Sequence, residues 1–334
     1  DLRIFYEDSD YDELYKKCYM CPRNCGADRS TQTGYCKMPD RVMTARAGLH
    51  YYEEPYLSGT NGSGTVFFSG CSLGCIYCQN WQISRDNYGL ETSTDRLAEI
   101  FLEQQDDRNA HNINLVTATH FTPSVVTALK KAKDKGLKIP VIWNSSGYEK
   151  PETLRLLDGL VDVFLPDFKT MSAELGARYM NAPDYPKWAK EAVACMFEMT
   201  GETKFRKIPD KNKNDLSGSA GESVIQPDGE DVLMIKGVSV RHLVIPGHSQ
   251  DSKEVVQYLY ETYGDSIWMS IMRQYTPMHD FGREYPELMR TISDREYDKV
   301  VDYAIDLGVS NCMIQDNGAE SDSFIPVFDG TGVF

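Results

Sequence analysis

With 334 residues, the chain is long enough for about two ordinary domains, or for one large barrel with an appendage. Hydrophobic residues at 41% and charged residues at 25% sit at globular averages, which excludes disorder and collagen-like or coiled-coil repeats. A net charge of −15 repels a phosphate backbone and argues against nucleic-acid binding over a broad surface. No run of about 18 apolar residues is present, so no membrane span is expected. The start DLRIFYEDSD lacks a charged-then-apolar secretory pattern, which points to a cytoplasmic protein.

Seven of the nine cysteines lie before residue 80. An odd count, tight clustering and a long chain do not suit a secreted disulfide framework, and read instead as metal ligands. The first group, Cys18, Cys21, Cys25 and Cys36, has C-x2-C-x3-C-x10-C spacing. Four thiolates close a tetrahedral zinc site or hold a second iron–sulfur cluster, and spacing leaves both open. Pro22, Gly26 and Gly34 supply turns, and residues 1–64 read as a small metal-binding module.

The apolar run Thr65–Ser69 predicts a strand that ends at Gly70. Cys71, Cys75 and Cys78 follow at C-x3-C-x2-C spacing. Three thiolates on one short loop can hold three irons of a 4Fe–4S cluster and leave the fourth iron open. A structural zinc would need a fourth ligand, with His50, Glu53 and Glu54 nearest in sequence.

Further strands are expected at Asn112–Thr117, Ile139–Asn144, Val161–Leu165, Ser239–Ile245, Ile267–Met272 and Cys312–Gln315. Helices are expected from Thr122 to Gly136, from Pro151, from Ser252 to Gly264 and from Asp294 to Gly308. Cys195, in an apolar helical pattern, and Cys312, in a strand, read as small core residues. Residues 203–232 are polar and turn-rich and read as an insertion loop. Strand–helix alternation with short links argues for an α/β fold, a partial (β/α)6 TIM-type barrel of parallel strands over 65–334 behind a Cys-rich N-terminal module. Chemistry in such a barrel gathers at the C-terminal strand ends. Those ends carry Cys71, Thr119 and His120, Asn144 and Ser145, Asp167 and Lys169, Arg241 and His242, then Gln274, Tyr275 and His279, and finally Gln315 and Asp316.

CSLGCIYC, with Tyr77 before the last cysteine, resembles the signature of the radical S-adenosylmethionine (radical SAM) superfamily. VDVFLPDFK, RHLVIPG and TPMH resemble segments of its pyruvate formate-lyase activating enzyme-like branch. The resemblance implies that S-adenosylmethionine chelates the open iron of the cluster. One electron then cleaves it to methionine and a 5′-deoxyadenosyl radical that abstracts a substrate hydrogen. It further implies a cofactor pocket formed by Tyr77, Asn144, Ser145, Asp167, Lys169, Arg241 and His279. Some relatives bind a monovalent cation near these groups, which implicates Asp167. Most members carry a Gly-Gly-Glu motif where this chain has VTATHF, so Thr119, His120 or a backbone carbonyl is expected to replace it.

The partners implied are an electron donor such as flavodoxin or ferredoxin and a substrate. The branch resemblance suggests the glycine Cα hydrogen of a glycyl radical enzyme. The alternatives are a peptide or a small molecule. From a different class, an iron–sulfur electron carrier or redox sensor would use the same cysteines without a nucleotide pocket. A zinc-bearing nucleic-acid module is disfavoured by the charge.

Overall fold

A computed structural model describes residues 8–208, 232–315 and 325–334. Its strands are β1 (Val42–His50), β2 (Ser63–Phe68), β3 (Leu90–Thr92), β4 (Ile113–Val116) and β5 (Val141–Ser145). They continue with β6 (Val163–Pro166), β7 (Lys204–Lys207), β8 (Val232–Leu243), β9 (Trp268–Met272) and β10 (Cys312–Ile314). β2, β4, β5, β6, β8, β9 and β10 pair in parallel in that order. These seven correspond to the seven strands expected from the sequence; the last, β10, is short and joins β9 through Cys312, Met313 and Ile314.

The parallel strands form because short, mostly apolar runs suit a sheet covered on both faces. Every residue of β2, β4, β5 and β6 is buried. Helices cross between them and have readable ends. The helix Thr122–Asp134 has Pro123 in its first turn and stops before Gly136, whose φ is 107°. The helix Asp294–Leu307 opens with a Ser293–Glu296 capping box and closes on left-handed Gly308. Two helices absent from the sequence expectations, Thr94–Asp106 and Ala173–Met180, fill further crossovers.

Strand β1 lies antiparallel on β2, and β3 lies antiparallel on β1. The main sheet thus reaches back into the stretch read as the N-terminal module. Buried Arg29 also ties that module to the sheet, donating to the carbonyls of Met38, Pro39 and His120. The segment after β1 crosses the inner face of the sheet. Tyr56 and Leu57 pack on Ile142, Val163, Leu165 and Trp268. Tyr56 Oη lies 2.7 Å from Ser239 Oγ, and Asn112 donates to the Leu57 carbonyl at 2.7 Å.

The stretch expected as a polar insertion is strand at both described ends. β7 pairs antiparallel with the start of β8, because Phe205, Val232 and Met234 bury against Tyr56 and Trp268. Residues 209–231 and Asp316 lie outside the described residues.

Candidate active site

The Cys71–Cys78 loop leaves β2 through Gly70, whose φ of 79° is left-handed. A side chain at Gly70 would also collide with Met38 Cγ at 2.3 Å and the Cys36 carbonyl at 2.7 Å. Glycine here lets the two cysteine groups approach each other. On the loop, Leu73 N and Gly74 N both point at Cys71 Sγ from 3.4 Å. Ser84 Oγ donates to Cys78 Sγ at 3.3 Å. Ile76 N donates to the Tyr179 carbonyl at 2.9 Å, docking the loop on the last turn of the helix Ala173–Met180.

Burial pushes the Cys75 thiol up to about 12, and it raises that of Cys78 as well. Lys169 works against this at both thiols, while the neighbouring thiols reinforce it. Buried thiols held against their own ionisation are ligands that release protons when metal arrives. Donors already aimed at two of the sulfurs, and three thiols on one loop, suit a cluster bound through three of its irons. Among the described residues, no three cysteine, histidine or acidic side chains converge on one point as a single bound ion requires. Cluster ligands sit on different irons and need not converge in that way.

Beside this loop lies a cavity of about 200 Å³. Cys75, Tyr77 and Cys78 form one wall, and Asn144, Asp167, Lys169 and Arg241 form the floor. His50 and Tyr52 stand on one side, and Ile325 and Pro326 on another. Lys169 Nζ is 2.7 Å from Asp167 Oδ2. Arg241 spends its fork on three acceptors: Asp167 Oδ1 at 3.0 Å, Glu53 Oε1 at 2.8 Å and Asn144 Oδ1 at 2.6 Å. Glu53 Oε2 accepts from Asn114 at 2.9 Å and Asn144 at 3.1 Å.

Burial alone would raise the Asp167 carboxyl, but Arg241 and Lys169 overcome it and hold the group below the usual carboxylate range. Burial likewise opposes the charge on Lys169, yet Asp167 keeps its pKa well above the ordinary value. The floor therefore carries opposite charges side by side, the pattern a zwitterionic ligand needs. Glu54, one residue beyond Glu53, is different. Its burial dominates and pushes it up to about 7, although Arg241 and a 2.8 Å bond from Ser270 Oγ pull it down.

The residues expected at the site divide into groups. Tyr77, Asn144, Asp167, Lys169 and Arg241 meet at the cavity. Thr119 and Ser145 turn away from it, because both donate to buried Glu149, which also accepts from Trp143 Nε1. His120 is likewise behind the site: its ring donates to the Ser69 carbonyl at 2.7 Å. Burial and Arg29 lower its pKa to about 3, so it is a neutral brace for the residues before Cys71. Neither Thr119 nor His120 thus reaches a ligand in the cavity. His279 packs edge-on against Trp81 with ring centroids 4.7 Å apart, outside the cavity lining. The cation expected at Asp167 meets two side-chain cations already on its two oxygens, which repel a third.

Glu53 was considered in the sequence only as a metal ligand, and its place under Arg241 was missed. Its signal is weak, since a carboxylate beside a turn is ordinary until β1 carries it over the sheet.

In the N-terminal module, Cys18, Cys21 and Cys36 are buried and Cys25 is exposed. A side chain on Gly34 would sit 3.4 Å from Cys36 Sγ and 3.6 Å from Cys25 Sγ, so glycine keeps that space for the thiols. Burial raises Cys21 to about 12, and Cys18, Cys36 and Cys25 each add to the rise. Among the described residues these four sulfurs share one module without converging on one point, so a single ion would have to draw them together, whereas a cluster spreads its ligands over several irons.

Comparison with known proteins bears on this geometry. The model of the radical SAM superfamily matches residues 65–208. That match contains the three-cysteine loop, Asn144, Asp167 and Lys169, and supports the radical SAM reading; Arg241 and His279 lie beyond it. The uncharacterized protein MJ0674 of Methanocaldococcus jannaschii is 27% identical over 298 residues, covering 87% of this chain and 75% of that one. The solved structure of Streptococcus suis SuiB bound to precursor peptide SuiA is 14% identical with a TM-score of 0.46, covering 75% of this chain and 47% of that one. HydG, a maturase of the FeFe-hydrogenase, is 12% identical with a TM-score of 0.47, covering 97% and 61%. The chain thus spans less than two thirds of the length of either solved structure.

Proposed function

We propose that this chain is a radical SAM enzyme whose cluster is held by Cys71, Cys75 and Cys78 and whose S-adenosylmethionine occupies the adjoining cavity. The observation that carries this reading is the shared lining: Cys75 and Cys78 face the same 200 Å³ space as the charged floor of Asp167, Lys169 and Arg241. A carrier that only relays electrons needs no such chamber. When bound, the two cofactors supply a one-electron cleavage of the sulfonium and, from it, hydrogen-atom abstraction.

The chain's own residues divide the remaining work. Lys169 gives one of its three N–H groups to Asp167 and keeps two for a ligand carboxylate. Arg241 has committed its fork to Asp167, Glu53 and Asn144, so it acts as a positioning residue that fixes the floor. Tyr77 walls the cavity between two of the thiols and packs edge-on against Tyr179 and Tyr275. Cys18, Cys21, Cys25 and Cys36 hold zinc or a second cluster.

For the substrate, the likeness of LPDFK, RHLVIPG and TPMH to activating enzymes supports a glycine Cα hydrogen on a partner protein. A reduced flavodoxin or ferredoxin would supply the electron. The test is anaerobic incubation with S-adenosylmethionine and reductant, reading 5′-deoxyadenosine. Formation of 5′-deoxyadenosine that depends on Cys71, Cys75 and Cys78 supports the enzyme. A spin signal on a partner glycine supports the substrate, and turnover without a protein radical points to a peptide or small molecule instead.

A further inference from the structure

We propose that Arg23, carried between two cysteines of the N-terminal module, is a positioning residue for the Cys71 ligand and holds up the reduction potential of the cluster bound there. The proposal rests on the reading of the three-cysteine loop given above. Arg23 lies in the run Cys21-Pro22-Arg23-Asn24-Cys25, and its guanidinium sits 4.3 Å from the Tyr35 ring centroid and 5.1 Å from that of Tyr148. Its hydrogen bonds to the described residues go to backbone carbonyls. Nε donates to Ser72 O at 2.8 Å, and Nη2 donates to Leu73 O at 3.0 Å and to Met180 O at 2.7 Å. Nη1 donates to Asn181 O.

The first two carbonyls decide the chemistry. In a trans peptide the C=O and N–H point in opposite directions. The peptide whose oxygen is Ser72 O carries the Leu73 N–H, which lies 3.4 Å from Cys71 Sγ. The peptide whose oxygen is Leu73 O carries the Gly74 N–H, also 3.4 Å from Cys71 Sγ. One cation therefore grips both carbonyls, while both N–H groups face the ligand sulfur. A charge on the oxygen end polarises the amide and strengthens its N–H as a donor. Hydrogen bonds to ligand sulfurs stabilise the added negative charge of a reduced cluster and raise its potential. The remaining two contacts anchor Arg23 on the end of the helix Ala173–Met180, where left-handed Asn181 leaves carbonyls to be satisfied. The same guanidinium therefore joins the N-terminal module, the cluster loop and a barrel helix.

The experiment uses anaerobically reconstituted full-length protein, as wild type, Arg23→Lys and Arg23→Gln. The triad cluster is identified as the one whose electron paramagnetic resonance spectrum changes on adding S-adenosylmethionine, and its midpoint potential is titrated. The expected result is a negative shift in both variants, larger for Gln than for Lys, with iron content retained. Lys keeps the charge but cannot grip two carbonyls as a fork, and it gives the reading if the Gln variant fails to fold. A variant that folds with a lower melting temperature and an unshifted potential overturns the proposal, because Arg23 is then only a structural tie. A wild-type cluster that ignores S-adenosylmethionine marks failure of the radical SAM reading itself, and the Arg23 proposal falls with it.

Discussion

Replacing Arg241 by Leu tests whether the floor of the cavity is one connected unit. The guanidinium contacts Asp167, Glu53 and Asn144, and the side chains of Arg241, Glu53 and Asp167 are 14%, 11% and 20% exposed. Removing one member of a buried ion pair costs about 3–5 kcal/mol, because a charge is left without its partner. Asp167 would keep Lys169, and Glu53 would keep the amides of Asn114 and Asn144. The low end of that range, about 3 kcal/mol, therefore applies. At about 2 °C per kcal/mol for a large domain, the melting temperature should fall by roughly 6 °C at pH 7. Asp167 has a folded pKa below its unfolded value, so its contribution is present above the unfolded carboxylate pKa and is lost as pH falls through the folded value. The gap between wild type and Arg241→Leu should therefore narrow toward pH 3. In an Asp167→Asn background the same change should cost less, by about 1 kcal/mol. Scanning calorimetry reads all of these. A melting temperature within about 1 °C of wild type would refute the network.

Glu54 is raised to about 7 by burial, so its folded form holds a proton that the unfolded chain gives up near the ordinary carboxylate pKa. Stability from this group is present at low pH and lost as pH rises toward 7; Glu54→Gln should therefore stabilise at pH 8 and not at pH 4, as read by urea unfolding. His120 runs the other way. Its folded pKa near 3 lies below its unfolded value, so stability is present above about 6.5 and lost as pH falls, and His120→Gln should flatten that slope in the same assay. Cys71→Ala, Cys75→Ala and Cys78→Ala should each abolish 5′-deoxyadenosine formation and lower bound iron, whereas Cys195→Ala, at a buried helix position, should leave both unchanged. Loss of that activity in a folded Cys36→Ala protein would make the N-terminal site part of catalysis.

The parallel strands were legible because each is a short apolar run of branched and aromatic residues, as in β2 and β6. β1 was not, since VMTARAGLH mixes Arg46, Ala47 and Gly48 into a strand whose partner lies beyond a turn and a short helix. The helix Thr94–Asp106 carried a readable signal: Ser93 caps it, and Leu97, Ile100, Phe101 and Gln104 repeat on its buried face. At the site, the cysteine spacing and the strand-end residues Asn144, Asp167, Lys169 and Arg241 were visible. The direction of each side chain was not. Thr119 and Ser145 also stand at strand ends, yet Glu149 draws them into the core. Arg23 was hidden for the same reason, because its targets at Ser72, Leu73, Met180 and Asn181 are far away in sequence.

Mössbauer spectroscopy of iron-57 protein, with and without S-adenosylmethionine, addresses the cluster reading most directly. With the N-terminal site loaded with zinc, one iron in four should separate from the other three when the nucleotide is added, and this response should vanish in Cys75→Ala. Spectra that keep all four irons equivalent would contradict a cluster with a coordination position open to the cavity.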